Sequence, residues 1–276
     1  MAFKTKLQAR LSQAGLYHRV RASFLYDLYW SFADRTILDT RAREVEFYRA
    51  LLKGFPKGGV IFDIGANHGT KTAIFLRLGA KVVAVDPDDA NQRALEDAFL
   101  RYRVVPRPVT VIRKAASDSS ALQTFWIDEP GSAKNTLSRK WVGTLRDDQN
   151  RFGRPIQFAT MKQVETVTLD QLIEAHGVPY LVKIDVEGHE PSVLRGLHRP
   201  VPYLSFEVNL PEFREEGLAC VGRLRELAAR GRFNYTVDCG QGLALDEWLD
   251  AKNFSEVLRT CTAESIEVVW ESDPKP

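Results

Sequence analysis

The chain has 276 residues, 44% hydrophobic and 27% charged, which suits one large α/β domain with an appendage. Its 38 basic and 36 acidic side chains leave a formal charge of +2, which excludes bulk electrostatic attraction to nucleic acid. Cys220, Cys239 and Cys261 lie far apart with no C-x-x-C pair, so a reduced, cytoplasmic protein with idle thiols is expected, and no apolar run approaches the roughly 20 residues that span a bilayer.

Residues 1–21 carry Lys4, Lys6, Arg10, Arg19 and Arg21 and no acid. Phe3, Leu7, Leu11, Ala14 and Leu16 recur at near-helical spacing, so the segment reads as an amphipathic helix. It lacks the continuous apolar centre and small-residue cleavage site of a signal peptide. An aromatic cluster follows, from Phe24 to Trp30. Residues 1–35 are expected to pack on the domain or on a second subunit, with a peripheral membrane contact as the alternative. Residues 39–52 form a more regular helix, which Gly54, Pro56, Gly58 and Gly59 break. The chain thus divides into a helical extension, 1–53, and a main domain, 54–276.

Residues 60–86 organise that domain. They read as a buried strand (60–64), a glycine turn (65–69), a short helix, and a second buried strand (82–85) ending in Asp86. Such a unit presents a ligand crevice at the carboxyl ends of parallel strands. Asp86 stands where a carboxylate can accept hydrogen bonds from the vicinal diol of a ribose. The glycines follow G-x-x-x-G, and Asn67 occupies the place where a dinucleotide pyrophosphate needs glycine. No G-x-x-x-x-G-K-[ST] loop is present to hold a nucleoside triphosphate. S-adenosylmethionine, with a ribose and an amino-acid tail but no phosphate, fits better. Asn67 would satisfy the tail and Asp63 its amine. A nicotinamide-dependent oxidoreductase is further disfavoured by the missing Tyr-x-x-x-Lys pair, and a non-catalytic binding protein of the same fold stands as the other alternative.

Next come a helix over 90–102, a third strand over 109–115, a turn at 117–120 and a hairpin-like added strand over 122–127. Residues 128–160 are irregular and read as a long functional or mobile loop. Strands at 164–168, 180–186, 203–208, 233–237 and 266–270 then alternate with helices at 169–177, 191–196 and 213–230. Pro191 suits a first helical position and Gly196 a terminus. This alternation predicts a doubly wound, mostly parallel sheet covered on both faces.

The segments V-I-F-D-I-G-A-N-H-G, L-V-K-I-D-V-E-G-H-E-P-S-V-L-R-G-L and Y-L-S-F-E-V-N, in this order, resemble the FkbM family of S-adenosylmethionine-dependent methyltransferases over about residues 42–210. The resemblance implies a class I methyltransferase fold, Rossmann-like, with seven strands and one antiparallel pairing. It implies that Asp63, Gly65, Asn67 and Gly69 surround the methionine part, that Asp86 holds the ribose, and that Ala116, Ser117 and Asp118 approach the adenine. The chain departs from the family in having Asp86 where Glu is common, though Asp is expected to accept both hydroxyl protons. It is also more polar over His68-Gly69-Thr70-Lys71.

The methyl acceptor is expected at Asp185-Val186-Glu187-Gly188-His189-Glu190, where the fourth parallel strand ends. If the chain stays extended, Asp185, Glu187 and His189 point to one side. Ionisable groups this close raise one another's proton affinity and can create a general base, so these three are the candidate catalytic residues. For His189 a solvated turn position is the competing reading, and Glu190 is expected to cap the next helix. Glu207 and Asn209 share a strand face and are the candidate acceptor-binding residues. Asp185, Glu207 and Asn209 could also converge as hard oxygen ligands for Mg²⁺, but hydrogen bonding to a polyhydroxylated acceptor is the favoured reading. His18, His176 and His198 show no ligand spacing. The expectation is a methyltransferase that O-methylates a hydroxyl of a sugar or another small natural product.

Overall fold

The computed structural model describes residues 35–101, 108–148, 152 and 156–273. The expected amphipathic helix, the aromatic cluster and their surface contacts lie outside the described residues. Helix α1 (Arg35–Leu51) leads into β1 (Val60–Ile64), α2 (Thr70–Arg77), β2 (Lys81–Val85), α3 (Asp89–Phe99) and β3 (Val109–Ile112). After them come β4 (Ala115–Ala116), β5 (Leu122–Ile127), α4 (Arg139–Asp147), β6 (Thr160–Val167), α5 (Leu169–His176), β7 (Leu181–Ile184), α6 (Glu190–Arg195) and β8 (Tyr203–Asn209). The chain closes with α7 (Arg214–Leu227), β9 (Arg232–Thr236), a 3-10 turn (Cys239–Gln241), α8 (Ala251–Thr260) and β10 (Ser265–Glu271).

The main sheet has seven strands in the order β3-β2-β1-β7-β8-β10-β9. Neighbours among β3, β2, β1, β7 and β8 pair parallel, and β10 runs antiparallel to both β8 and β9. This is the doubly wound, mostly parallel architecture that the alternating pattern predicts. Among the described residues no helix is long and apolar enough to cross a membrane.

Period-two alternation divides the strand residues between two faces. Phe62, Ile64, Val83, Val85, Val182, Ile184, Leu204 and Phe206 point to one face and pack against α4 to α8. Ile61, Val82, Leu181 and Val269 point to the other, where Tyr48 and Leu51 of α1 and Ile74 and Phe75 of α2 cover them. Toward the carboxyl ends this second face turns polar, with Asp63, Lys183 and Ser205 in register across β1, β7 and β8. Glu207, Glu267 and Thr236 align likewise across β8, β10 and β9. The functional site grows from these two polar rows.

The sequence reading missed several elements. Residues 128–160 are not a loop throughout: they contain α4, opened by Ser138 capping the Trp141 amide, and the start of β6. Trp141, Ile156 and Phe158 are fully buried in the main core. Their spacing, Trp141-Val142 with Leu145, is helical but is surrounded by charges that mask it. Strand β6 starts at Thr160 rather than 164 because it pairs antiparallel with β5 and, at its end, parallel with β4. The added strand β5 therefore belongs to a separate three-stranded sheet. The third strand is shorter than expected and splits into β3 and β4, and α8 has no counterpart in the sequence reading.

Because Trp141 sits edge-on to Phe213 with ring centroids 5.5 Å apart, the region around α4 is part of the core. Trp141→Ala is expected to cost about 3–5 kcal/mol of unfolding free energy. A urea melt checks this; a loss near zero would restore the loop reading.

Candidate functional site

The turn after β1 places its backbone by close approach. Gly65 has φ +81°, and a Cβ there would lie 1.8 Å from the carbonyl oxygen of Asp185. Only glycine permits the ends of β1 and β7 to meet this closely. Asn67 also takes a left-handed conformation, φ 49°, and its amide donates to Asp86 Oδ2 at 2.8 Å.

Gly65, Asn67, Asp86, Asp185 and Glu187 line one cavity, together with Pro87, Asn91, Ala115, Ala116 and Phe125. The segment 131–137 forms the opposite wall. Asp88 Oδ2 accepts the Gly131 amide at 3.0 Å and Asn135 Nδ2 at 2.7 Å, and Thr136 Oγ1 donates to the Glu187 carbonyl at 2.8 Å. Asp86 is buried, and that burial pushes its carboxyl up to about 6 despite the hydrogen bonds it accepts.

Asp63 and Gly69, also expected around the ligand, do not line this cavity. Asp63 lies beneath it, accepting from Thr72 Oγ1 at 2.6 Å, and burial raises its carboxyl. Gly69 caps α2 in a left-handed conformation. Ser117 is buried behind Ala116, and Asp118 sits at the surface, paired with Arg195 at 3.1 Å.

The chain does not stay extended after β7. Glu187 and Gly188 adopt left-handed conformations, φ 55° and 86°, because Glu190 Oε1 gathers the amides of Val186 and Gly188 at 3.0 and 3.2 Å. Glu190 thus ties the turn rather than capping the helix, and burial pushes its carboxyl up to about 7. The turn swings His189 away from Asp185 and onto Ser117, with Nε2 3.0 Å from Ser117 Oγ. Burial pushes His189 down to about 4, so its imidazole is neutral at pH 7.

A second cavity lies on the other side of Asp185. The floor is Asp185, Glu207, Glu267 and Thr236, and the walls include Glu44 of α1, Lys71 of α2 and Asp238 and Cys239 of the 3-10 turn. Asn209 lines neither cavity; Glu187 takes the place it was expected to hold beside Asp185 and Glu207. Lys71 pairs with Glu44 at 2.9 Å, and the Tyr48 hydroxyl donates to Glu267 Oε1 at 3.0 Å.

The carboxylates of Asp185, Glu187 and Glu207 each offer an oxygen within 4.8 Å of the others, a spacing that a divalent cation could bridge. Buried Lys183, 2.9 Å from Asp185 Oδ2, already supplies a positive charge there. Burial alone would raise Asp185, but the Lys183 ammonium and a proton shared with Glu207 outweigh it and hold Asp185 below the usual carboxylate range. Desolvation and the Asp185 charge push Glu207 up to about 8, and desolvation with the Glu207 and Asp185 charges raises Glu187. The cluster is therefore unequal, with Asp185 held below the usual carboxylate range and Glu187 and Glu207 pushed above it. Lys183 shares the Asp185 face by the period-two rule, so it was legible in the sequence; Asn91, Asn135 and Thr136 carried no such signal.

A buried carboxylate at the end of β2, an apolar slot at Ala115, Ala116 and Phe125, and a turn of left-handed residues match the ribose, adenine and tail of an S-adenosyl cofactor. The FkbM methyltransferase domain profile matches residues 63–252. Hexuronic acid methyltransferase AglP of Haloferax volcanii is 28% identical over 168 residues, which are 60% of this chain and 61% of that protein. The chain therefore spans less than two thirds of that relative's length. A TehB-like S-adenosylmethionine-dependent methyltransferase from Corynebacterium glutamicum overlaps 84% of this chain and 88% of its own at TM-score 0.40 and 12% identity. An S-adenosylmethionine-dependent methyltransferase from Agrobacterium tumefaciens overlaps 85% and 62% at TM-score 0.41 and 9% identity.

The raised carboxyl of Glu207 makes a stability prediction. Between its unfolded value near 4.5 and about 8 the folded chain holds a proton that the unfolded chain has lost, so stability falls as pH rises through this window. Glu207→Gln is expected to lessen the fall between pH 5 and pH 8 by on the order of 2 kcal/mol, water access having reduced the full effect. Urea melts at both pH values measure it, and parallel pH profiles would contradict the assignment. By its matched span of residues 63–252, the chain belongs to the FkbM methyltransferase family.

Proposed function

We propose that the chain transfers a methyl group from S-adenosylmethionine to a hydroxyl oxygen of a sugar or another small polyhydroxylated molecule. The observation that carries this reading is the position of Asp185, which lines both cavities. Cofactor and acceptor held on its two sides would meet at its carboxylate. The relative from Haloferax volcanii, a hexuronic acid methyltransferase, supports the sugar class.

When bound, S-adenosylmethionine supplies an electrophilic methyl on a sulfonium. Asp86 and the Gly65-Ala66-Asn67 turn would hold it, with Ala115, Ala116 and Phe125 against the adenine. Asp185, held ionised, would orient the acceptor hydroxyl and accept its proton. Lys183 keeps Asp185 ionised for that role. Glu207, pushed up to about 8, would donate a hydrogen bond to a neighbouring acceptor oxygen, with Glu187, also raised, beside it. His189 holds Ser117 and takes no part at the acceptor. Alignment of the two reactants accounts for much of the rate, through effective concentration.

Two measurements test the proposal. Calorimetry is expected to show binding of S-adenosylmethionine and none of NAD(P)H; the reverse would overturn the cofactor assignment. Radiolabelled methyl transfer onto a panel of neutral and uronic-acid sugars then tests the acceptor class. With an accepted sugar, Asp185→Asn is expected to lower kcat by about 10²–10⁴-fold while cofactor affinity changes only a few-fold. An unchanged kcat would remove Asp185 as the base.

A further inference from the structure

Asp86 by itself lacks the capacity to hold a vicinal diol. An ionised carboxylate offers about four acceptor positions. Three are used among the described residues: Oδ1 accepts the Asp88 amide at 2.9 Å and Asn91 Nδ2 at 3.2 Å, and Oδ2 accepts the Asn67 amide at 2.8 Å. Breaking any of these would strand a donor at the cavity floor. One position remains, on Oδ2, while a diol brings two protons.

The neighbouring residue supplies the difference. Asn91 of α3 is 2% exposed and lines the same cavity. A carboxylate only accepts, so the Asn91 NH₂ must face Asp86, which fixes the amide orientation and turns Oδ1 away from it. That Oδ1 is buried and accepts no hydrogen bond among the described residues. Gly131 passes over it, and a Cβ at Gly131 would come within 3.3 Å of Oδ1. A buried carbonyl without a donor is uncommon in a folded protein, and here it borders the one carboxylate whose capacity is short.

We propose that Asn91 is a ribose-binding residue: Asp86 Oδ2 accepts one hydroxyl of the cofactor's diol and Asn91 Oδ1 accepts the other. The assignment rests on the S-adenosyl reading of this cavity. It replaces the expectation that Asp86 accepts both protons, and it makes Asn91 answerable for one hydroxyl.

Calorimetry at pH 8 with S-adenosylhomocysteine and its 2′-deoxy and 3′-deoxy forms tests it. The unmodified chain is expected to bind each deoxy form about tenfold more weakly than the parent. Asn91→Leu, with Asn91→Ala as the second variant, is expected to lose about tenfold for the parent but nothing further for one of the two deoxy forms. A purely structural role would weaken all three ligands alike, and that outcome, or no weakening, would overturn the assignment. In the unmodified chain alone, indifference to removal of either hydroxyl would overturn it too, whatever the variants do. Failure of the unmodified chain to bind S-adenosylhomocysteine would instead sink the cofactor reading and the assignment with it.

Discussion

Parallel pairing of β1 with β7 brings the glycine turn at Gly65 against the backbone of Asp185, closer than any side chain would allow. The rest of the site is arranged around that contact. On one side the β1 turn, the end of β2 and the 131–137 segment enclose the first cavity. On the other, the ends of β8, β10 and β9 form the floor of the second. Asp185 stands between them because the chain bends immediately after it, and Glu190 fixes the bend by collecting two backbone amides. A side chain at Gly65 would separate the strand ends and, with them, the two cavities.

The polar rows on the second face raise an energetic problem that the structure resolves by pairing. Several carboxyls close together in low dielectric cannot all be ionised. Lys183 lies under them and pairs with Asp185, and the proton shared by Asp185 and Glu207 settles which of that pair carries the charge. Ser265 donates to Glu207 at 2.7 Å and Tyr48 to Glu267, so the remaining oxygens are held from neighbouring elements. Charge asymmetry in the cluster follows from this packing. In the proposed reaction, that asymmetry would give the proton-accepting part to Asp185.

The mostly parallel sheet, most strand positions and the turns at the ends of β1 and β2 were legible in the sequence because each depends on local signals. Asp63 to Gly69 announces a turn, Asp86 ends an apolar run, and the alternating elements imply crossovers. What was not legible depends on long-range pairing. Whether 122–127 paired with its neighbour or with 160–167 could not be read from either segment, and α4 hid among charges whose buried face shows only once the core exists. The placement of His189 failed for a physical reason: the period-two argument assumed an extended chain, and left-handed residues at Glu187 and Gly188 break that period. Asn91 gave no signal, since an amide on a helix is ordinary until its neighbour's acceptor positions are counted.

The contribution of α1 to the second cavity has a consequence for how much of the chain the activity requires. Residues 63–252 carry the family match, yet Glu44 and Tyr48 precede it and Ser265 and Glu267 follow it. A chain trimmed to the matched span would keep Asp86, Asn91 and the 131–137 segment, but would open the second cavity and lose the antiparallel strand between β8 and β9. The unit of family membership is thus smaller than the unit that encloses the second cavity. In the proposed reading the matched span would hold the methyl donor, and the flanking helix and last strand, which supply Glu44 and Glu267 to the second cavity, would help determine which molecule receives the methyl group.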